Sequence, residues 1–272
     1  MKKFLLPAIL LVLLTILAAC GEEESSADSK SIKLGGTAGP YSDMLNEAFK
    51  PALEEKGYEV EIVEFSDYIQ PNNALDNGDL DANLFQHSVY LENFSKENGM
   101  DLTGLITVPT APMGIYSNVF DSLEDIKDGA TIAIPNDPVN AARTFLVLQD
   151  NNLITLDPAA EELTVSEKDI QENPKNLVFQ PIEAGGLPRA VESSDLSAVP
   201  GNFALAADMN LLDALVLENM PDQYRNLVAV KTENKDTQLS KDLVEIVESP
   251  EFEALIDSDF EGFGKPEWMA NR

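Results

Sequence analysis

Two periods of apolar residues run along the chain, and their boundaries outline short strands followed by short helices. Tyr58 to Phe65 alternates apolar and polar positions, the period of a strand with one covered face. Leu80, Ala82 and Leu84 alternate with Asp79, Asp81 and Asn83 behind a turn at Asn77-Gly78, and the alternation breaks at Phe85-Gln86-His87. Ile32–Gly36, Thr131–Ile134, Leu177–Gln180, Leu196–Val199 and Leu227–Val230 read as further strands. Spacings of three and four predict helices over Asp43–Leu53 behind Pro40, over Tyr68–Leu75 and from Val139 to Gln149. Others are predicted over Asp121–Gly129, from Leu187, over Leu239–Val247 and over Glu251–Ile256. Strand–helix alternation of this kind predicts an α/β fold with mostly parallel sheets. The extended, proline-bearing stretch Ile106–Tyr116 and the strand at Leu227–Val230 read as crossings between two lobes. The strand ends of both lobes would then face one cleft.

Chemistry collects at the corners of these elements. Phe85, His87 and Tyr90 cluster just past a strand end, where open α/β sheets bind ligands. They could equally be core aromatics beside a satisfied histidine. Asp137 can cap a helix that starts at Pro138, and Asn140 and Arg143 share a face near its N-terminus. Such an end favours anions, and an arginine there adds a two-pronged carboxylate partner. A surface arginine paired with one of many acids is the plainer alternative. Asn202 stands at another strand-end corner. Gly35-Gly-Thr-Ala-Gly39 has neither the lysine nor the spacing of a phosphate loop.

Composition narrows the classes. Lys2 and Lys3 precede an apolar run from Phe4 to Ala19, the form of a secretory signal over residues 1–19. It closes in Leu17-Ala-Ala-Cys20-Gly21, which resembles a lipobox, and Cys20 is the only cysteine. Cleavage and acylation at Cys20 would anchor the chain to a membrane; an uncleaved anchor would hold it there too. Residues 20–31 are polar and read as a flexible tether. The chain has 48 acidic residues against 18 basic ones, a net charge of −30. No basic face can be assembled, so nucleic acid and anionic lipid headgroups are excluded as partners. The one histidine and one cysteine leave no thiol nucleophile and no zinc set, and no nucleophile elbow is present. The reading is a binding protein, not an enzyme, with no cofactor and no metal.

Several motifs, in order along nearly the whole mature chain, resemble the NlpA-type methionine-binding lipoproteins, the substrate-binding components of methionine ABC importers. They are the lipobox at Cys20, Leu75-Asp-Asn-Gly-Asp-Leu-Asp-Ala-Asn-Leu-Phe-Gln-His87 with Tyr90, and Ile132-Ala-Ile-Pro-Asn-Asp-Pro-Val-Asn140 with Arg143. Glu172-Asn-Pro-Lys-Asn-Leu177, Leu187-Pro-Arg-Ala190 and Gly201-Asn-Phe-Ala204 continue the series. The chain departs from the family at Tyr41, at Val199-Pro-Gly201 and at Thr144-Phe145. The resemblance implies a two-lobed, type II periplasmic-binding-protein-like fold closing on a free amino acid. Lobe I would comprise 32–112 and 229–272, and lobe II 113–228. It also implies roles. Tyr68, Phe85, His87 and Tyr90 would enclose a thioether side chain. Arg143 would hold the ligand carboxylate with Asn140 nearby, and Asn202 would meet the amino and carboxylate end. The expected ligand is L-methionine, and the expected partner is an ABC importer permease at the extracytoplasmic face of the cell membrane. A Gly-Met-like dipeptide, another small amino acid, or a surface lipoprotein without a ligand are the alternatives.

Overall fold

The computed structural model describes residues 30–272. The signal segment and Cys20 lie outside the described residues.

The chain opens with β1 (Lys30–Thr37), then α1 (Pro40–Met44), a π-helical turn (Leu45–Phe49) and α2 (Lys50–Glu55). The widened turn has a local cause. Pro51 carries no N–H for the i→i−4 ladder, and the ladder loosens just before it, where the Lys50 N–H reaches Leu45 O. Next come β2 (Tyr58–Phe65), α3 (Gln70–Asn77), β3 (Ala82–His87), α4 (Ser88–Asn98) and β4 (Leu102–Thr107). The following segment holds β5 (Gly114–Tyr116), β6 (Thr131–Pro135), α5 (Pro138–Asp150), β7 (Thr155–Leu156), β8 (Ile170–Glu172) and β9 (Val178–Ile182). It continues with α6 (Leu187–Ala190), β10 (Leu196–Val199), α7 (Gly201–Ala206) and β11 (Val216–Leu217). The chain finishes with β12 (Asn226–Lys231), α8 (Gln238–Glu248), α9 (Pro250–Asp259) and α10 (Glu267–Ala270).

These strands form two five-stranded sheets, ordered β2-β1-β3-β12-β4 and β9-β6-β10-β5-β11, beside a small β7-β8 ribbon. Each sheet has three parallel strands, then a reversed one, then an edge strand paired antiparallel to it. The sheets are therefore mixed, where the sequence pattern predicted mostly parallel ones. The reversed strand of each sheet is the first strand after the chain changes sheets: β5 after 108–113, and β12 after 218–225. Leu227–Val230 is accordingly not the return crossing but an inner strand of the first sheet. Asp121–Gly129 forms turns and no helix, with Ser122 Oγ bonded to Asp125.

The first sheet packs on α1, α2, α8 and α9 through Leu34, Phe49, Leu53, Val230, Val247 and Phe252. The second packs on α5 through Ile115, Ile132, Phe145, Leu148 and Leu196. The C-terminal ends of parallel strands in the two sheets meet: Asn202, just past β10, bonds Thr37 of β1, and His87 of β3 bonds Asn140, just past β6.

Candidate functional site

The seven residues singled out in the sequence line one cavity between the sheets. Tyr68, Phe85, His87, Tyr90, Asn140, Arg143 and Asn202 surround about 340 Å³ of atom-free space, mouth included. They come from four separate segments of the chain. Two details of their placement differ from expectation. Phe85 and His87 do not follow a strand end; they belong to β3, every residue of which is buried. Asn202 lies in α7 and not in a loop. β3 is hydrogen-bonded along both edges, by β1 and β12, and both of its faces are covered as well, so no position on it meets solvent. Its polar positions are satisfied internally. Asn72 Nδ2 donates to Gln86 Oε1 at 2.7 Å, and Gln86 Nε2 donates to Asn72 Oδ1 at 2.7 Å and Asn83 Oδ1 at 3.2 Å. This amide triad anchors β3 beneath the cavity.

His87 is held in one tautomer. Its Nδ1 accepts the Tyr90 N–H at 3.2 Å, capping α4, so the ring proton resides on Nε2. Nε2 therefore donates to Asn140 Oδ1 at 3.2 Å, across the cleft. Burial, with Arg143 nearby, pushes the His87 pKa down to about 3, so the ring is neutral at ordinary pH. Asn140 is oriented from its other end. Its backbone N–H reaches Asp137 Oδ1 at 2.8 Å, the N-cap of α5, and its side-chain amide donates to the same carboxylate at 3.2 Å.

Aromatic rings fill the neighbouring wall. Tyr68 lies 5.8 Å from Phe85, 5.9 Å from Tyr90 and 4.9 Å from Phe203, centroid to centroid. The Tyr68 hydroxyl donates to Asn202 Oδ1 at 2.7 Å, and Asn202 Nδ2 donates to Thr37 Oγ1 at 3.4 Å. These bonds join the sheets. Burial raises the pKa of the Tyr68 phenol well above its usual range.

Arg143 is already engaged. Its Nε donates to Glu218 Oε1 at 2.6 Å and its Nη2 to Glu218 Oε2 at 2.5 Å. The two side chains are 6 % and 4 % exposed. Burial disfavours the guanidinium charge, but Glu218 outweighs it and holds Arg143 above its ordinary pKa. Nη1 has no protein hydrogen-bond partner among the described residues. The Tyr224 ring lies 5.1 Å from the guanidinium carbon.

Other wall residues were not singled out in the sequence. Tyr41, Gln86, Thr110, Ala111, Gly201 and Asn226 also line the cavity. Asn226 is paired with His87 across β12 and β3, and its Nδ2 donates to Phe85 O at 2.9 Å. In the sequence Tyr41 stands out only as a departure from the family pattern. Nothing local marks Glu218 among the chain's 48 acidic residues.

Known proteins share this architecture. The profile of the NlpA lipoprotein family matches residues 32–268. The methionine-binding lipoprotein MetQ of Bacillus subtilis is 36% identical over 268 residues, 96% of this chain and 97% of its own. The D-methionine-binding lipoprotein MetQ of Salmonella typhi is 36% identical over 255 residues, 93% of each chain. A nutrient binding protein from Burkholderia cenocepacia, solved bound to methionine, superposes with a TM-score of 0.81 at 40% identity, covering 85% of this chain and 97% of its own.

Proposed function

The chain belongs to the NlpA lipoprotein family of substrate-binding proteins of ABC transporters, and from that premise we propose that it captures L-methionine between its lobes and delivers it to an importer permease. A lipid on Cys20 would hold it at the extracytoplasmic face of the cell membrane. One observation carries the reading: residues from four chain segments place an aromatic wall beside a neutral histidine, two amides and an arginine around a single buried cavity. A thioether suits aromatic faces. The amino-acid head group needs donors and acceptors once water is excluded, and Arg143 Nη1, Asn140, Asn202 and Asn226 can supply them. The relatives named for methionine, and the one solved with it, support the same ligand.

The first lobe would run 32–112 with 226–272, since all of β12 belongs to the first sheet where the sequence pattern drew the boundary at 229, and the second would hold the strands from 114 to 217. The two would open and close about the passages between them. Ligand would bridge Phe85, His87 and Tyr90 on one side and Arg143 and Asn202 on the other, and the permease would recognise the closed form.

A thermal-shift screen of residues 25–272 against the twenty amino acids, D-methionine and Gly-Met tests this, after unfolding and refolding to strip carried ligand. L-methionine at a hundredfold excess over its Kd stabilises by about 2.7 kcal/mol. A larger rise with Gly-Met would make a dipeptide the ligand. No rise with any compound would refute the binding function.

A further inference from the structure

We propose that Glu218 is a specificity-determining residue of the cleft: by cancelling the charge of Arg143, it makes the site prefer a zwitterion to an anion of the same shape. This rests on the amino-acid reading given above and names what selects within it.

The geometry is that of a fixed pair, not a chance surface contact. Glu218 grips two guanidinium nitrogens, and its Oε2 also accepts the Met113 N–H at 3.1 Å. The Glu218 backbone N–H bonds Met113 O at 2.9 Å. Glu218 is thus tied to the first passage at its backbone and at its carboxylate, and the carboxylate cannot swing away from Arg143 without giving up the Met113 N–H. Both side chains are buried, so water and salt screen the pair little.

A lone arginine in this wall would attract any carboxylate. A paired one still offers Nη1 as a donor but presents little net charge. The remaining groups do not restore a positive field. His87 has both ring nitrogens committed as a neutral imidazole. Tyr41 is a buried phenol, and the half-buried Tyr68 holds its hydroxyl against Asn202 with its pKa raised, so both are uncharged. Arg225 has Asp222 at 3.9 Å. Asp137 faces Asn140 and the α5 N-terminus. A ligand carrying its own cancelling ammonium therefore fits this wall, and a bare carboxylate brings an uncompensated charge into it.

The test compares affinities for L-methionine and for its deaminated analogue, which keeps the thioether and the carboxylate but has hydrogen in place of the amino group. Glu218→Gln keeps the shape and leaves Arg143 uncompensated. The analogue's disadvantage relative to methionine should shrink by about tenfold or more, which corresponds to roughly 1.4 kcal/mol. Arg143→Gln strands Glu218 and should enlarge that disadvantage by a similar factor. The double variant restores neutrality and should return the ratio to near the wild-type value, although both ligands bind more weakly. A purely structural role would weaken both ligands alike, leaving the ratio fixed. Either single variant that folds, compared with wild type or with the double variant, gives the direction. A ratio that does not follow the charge overturns the inference alone. A wild type that binds neither compound overturns the methionine reading, and this inference with it.

Discussion

The His87 ring is an uncharged link between the lobes, donating its single ring proton to Asn140. The folded protein holds it neutral with its pKa near 3, whereas the unfolded chain protonates it near 6.5. Below about pH 6.5 the unfolded state takes up the extra proton, so this residue's contribution is complete above that pH and is lost as the pH falls toward 3. His87→Gln removes the effect. The stability difference between wild type and variant should fall with acid at up to about 1.4 kcal/mol per pH unit. Urea unfolding at several pH values between 4 and 7 reads it, and parallel curves would refute the buried neutral tautomer. Arg143 obeys a different rule. Arg143→Ala leaves the Glu218 carboxylate buried with no countercharge and only the Met113 N–H as donor, which costs about 3–5 kcal/mol. Denaturation of the ligand-free variant measures that cost separately from any loss of binding.

At the scale of elements, caps and close approaches govern the cleft. Asp137 caps α5 and orients the Asn140 amide that meets His87. Asp137→Ala should cost about 1 kcal/mol of stability, and should weaken ligand binding besides. Two glycines set how closely the lobes meet. A Cβ on Gly185 would lie 2.9 Å from the Ser66 carbonyl oxygen, and one on Gly39 would lie 2.9 Å from Ala206 Cβ. Gly39 also has φ +87°, in the left-handed region, and Gly185 does not. Gly185→Ala should therefore act as a wedge in the closed form alone. It should lower affinity by about 1–3 kcal/mol while leaving the ligand-free melting temperature almost unchanged. Gly39→Ala should lower both, since its strained backbone is present whether the cleft is open or closed. Equal melting losses in the two variants would contradict this division. Much at this scale was legible beforehand. The Asp137–Pro138 helix start, the β2 alternation and the Leu196–Val199 strand all follow from local residue order. β3 misled because Asn83 and Gln86 look like solvent positions; their partners are one another and Asn72, which only the packing reveals. Glu218 was illegible for a related reason. Its partner is 75 positions away, and an acid in so acidic a chain carries no local mark.

Across the whole molecule, self-repulsion opposes compactness. The chain's net charge is −30, and at low ionic strength those charges interact over distances of about 30 Å. Raising sodium chloride from about 0.01 M to about 0.15 M, where the Debye length shrinks to roughly 8 Å, should raise the melting temperature. A decrease would mean that attractive surface pairs dominate. Glu218 and Asn226 belong to this scale too. They lie in or beside the return passage, so the cleft wall and the connection between lobes are built from the same few residues.

The position of β12 has a consequence for the order in which the molecule can be assembled. Among the described residues β4 is an edge strand whose only neighbour in the sheet is β12, and β12 is the last strand. Until residue 226 arrives, the first sheet is missing an inner member and β4 has nothing to pair with. The second sheet needs only strands between Gly114 and Leu217, which lie in one uninterrupted stretch. A chain emerging N-terminus first can therefore complete its second lobe before its first, and the long-range closure of β12 between β3 and β4 is expected to come late. The strand carrying Phe85 and His87 is paired on both edges only once β12 is in place, so on this topology the binding wall should be finished last.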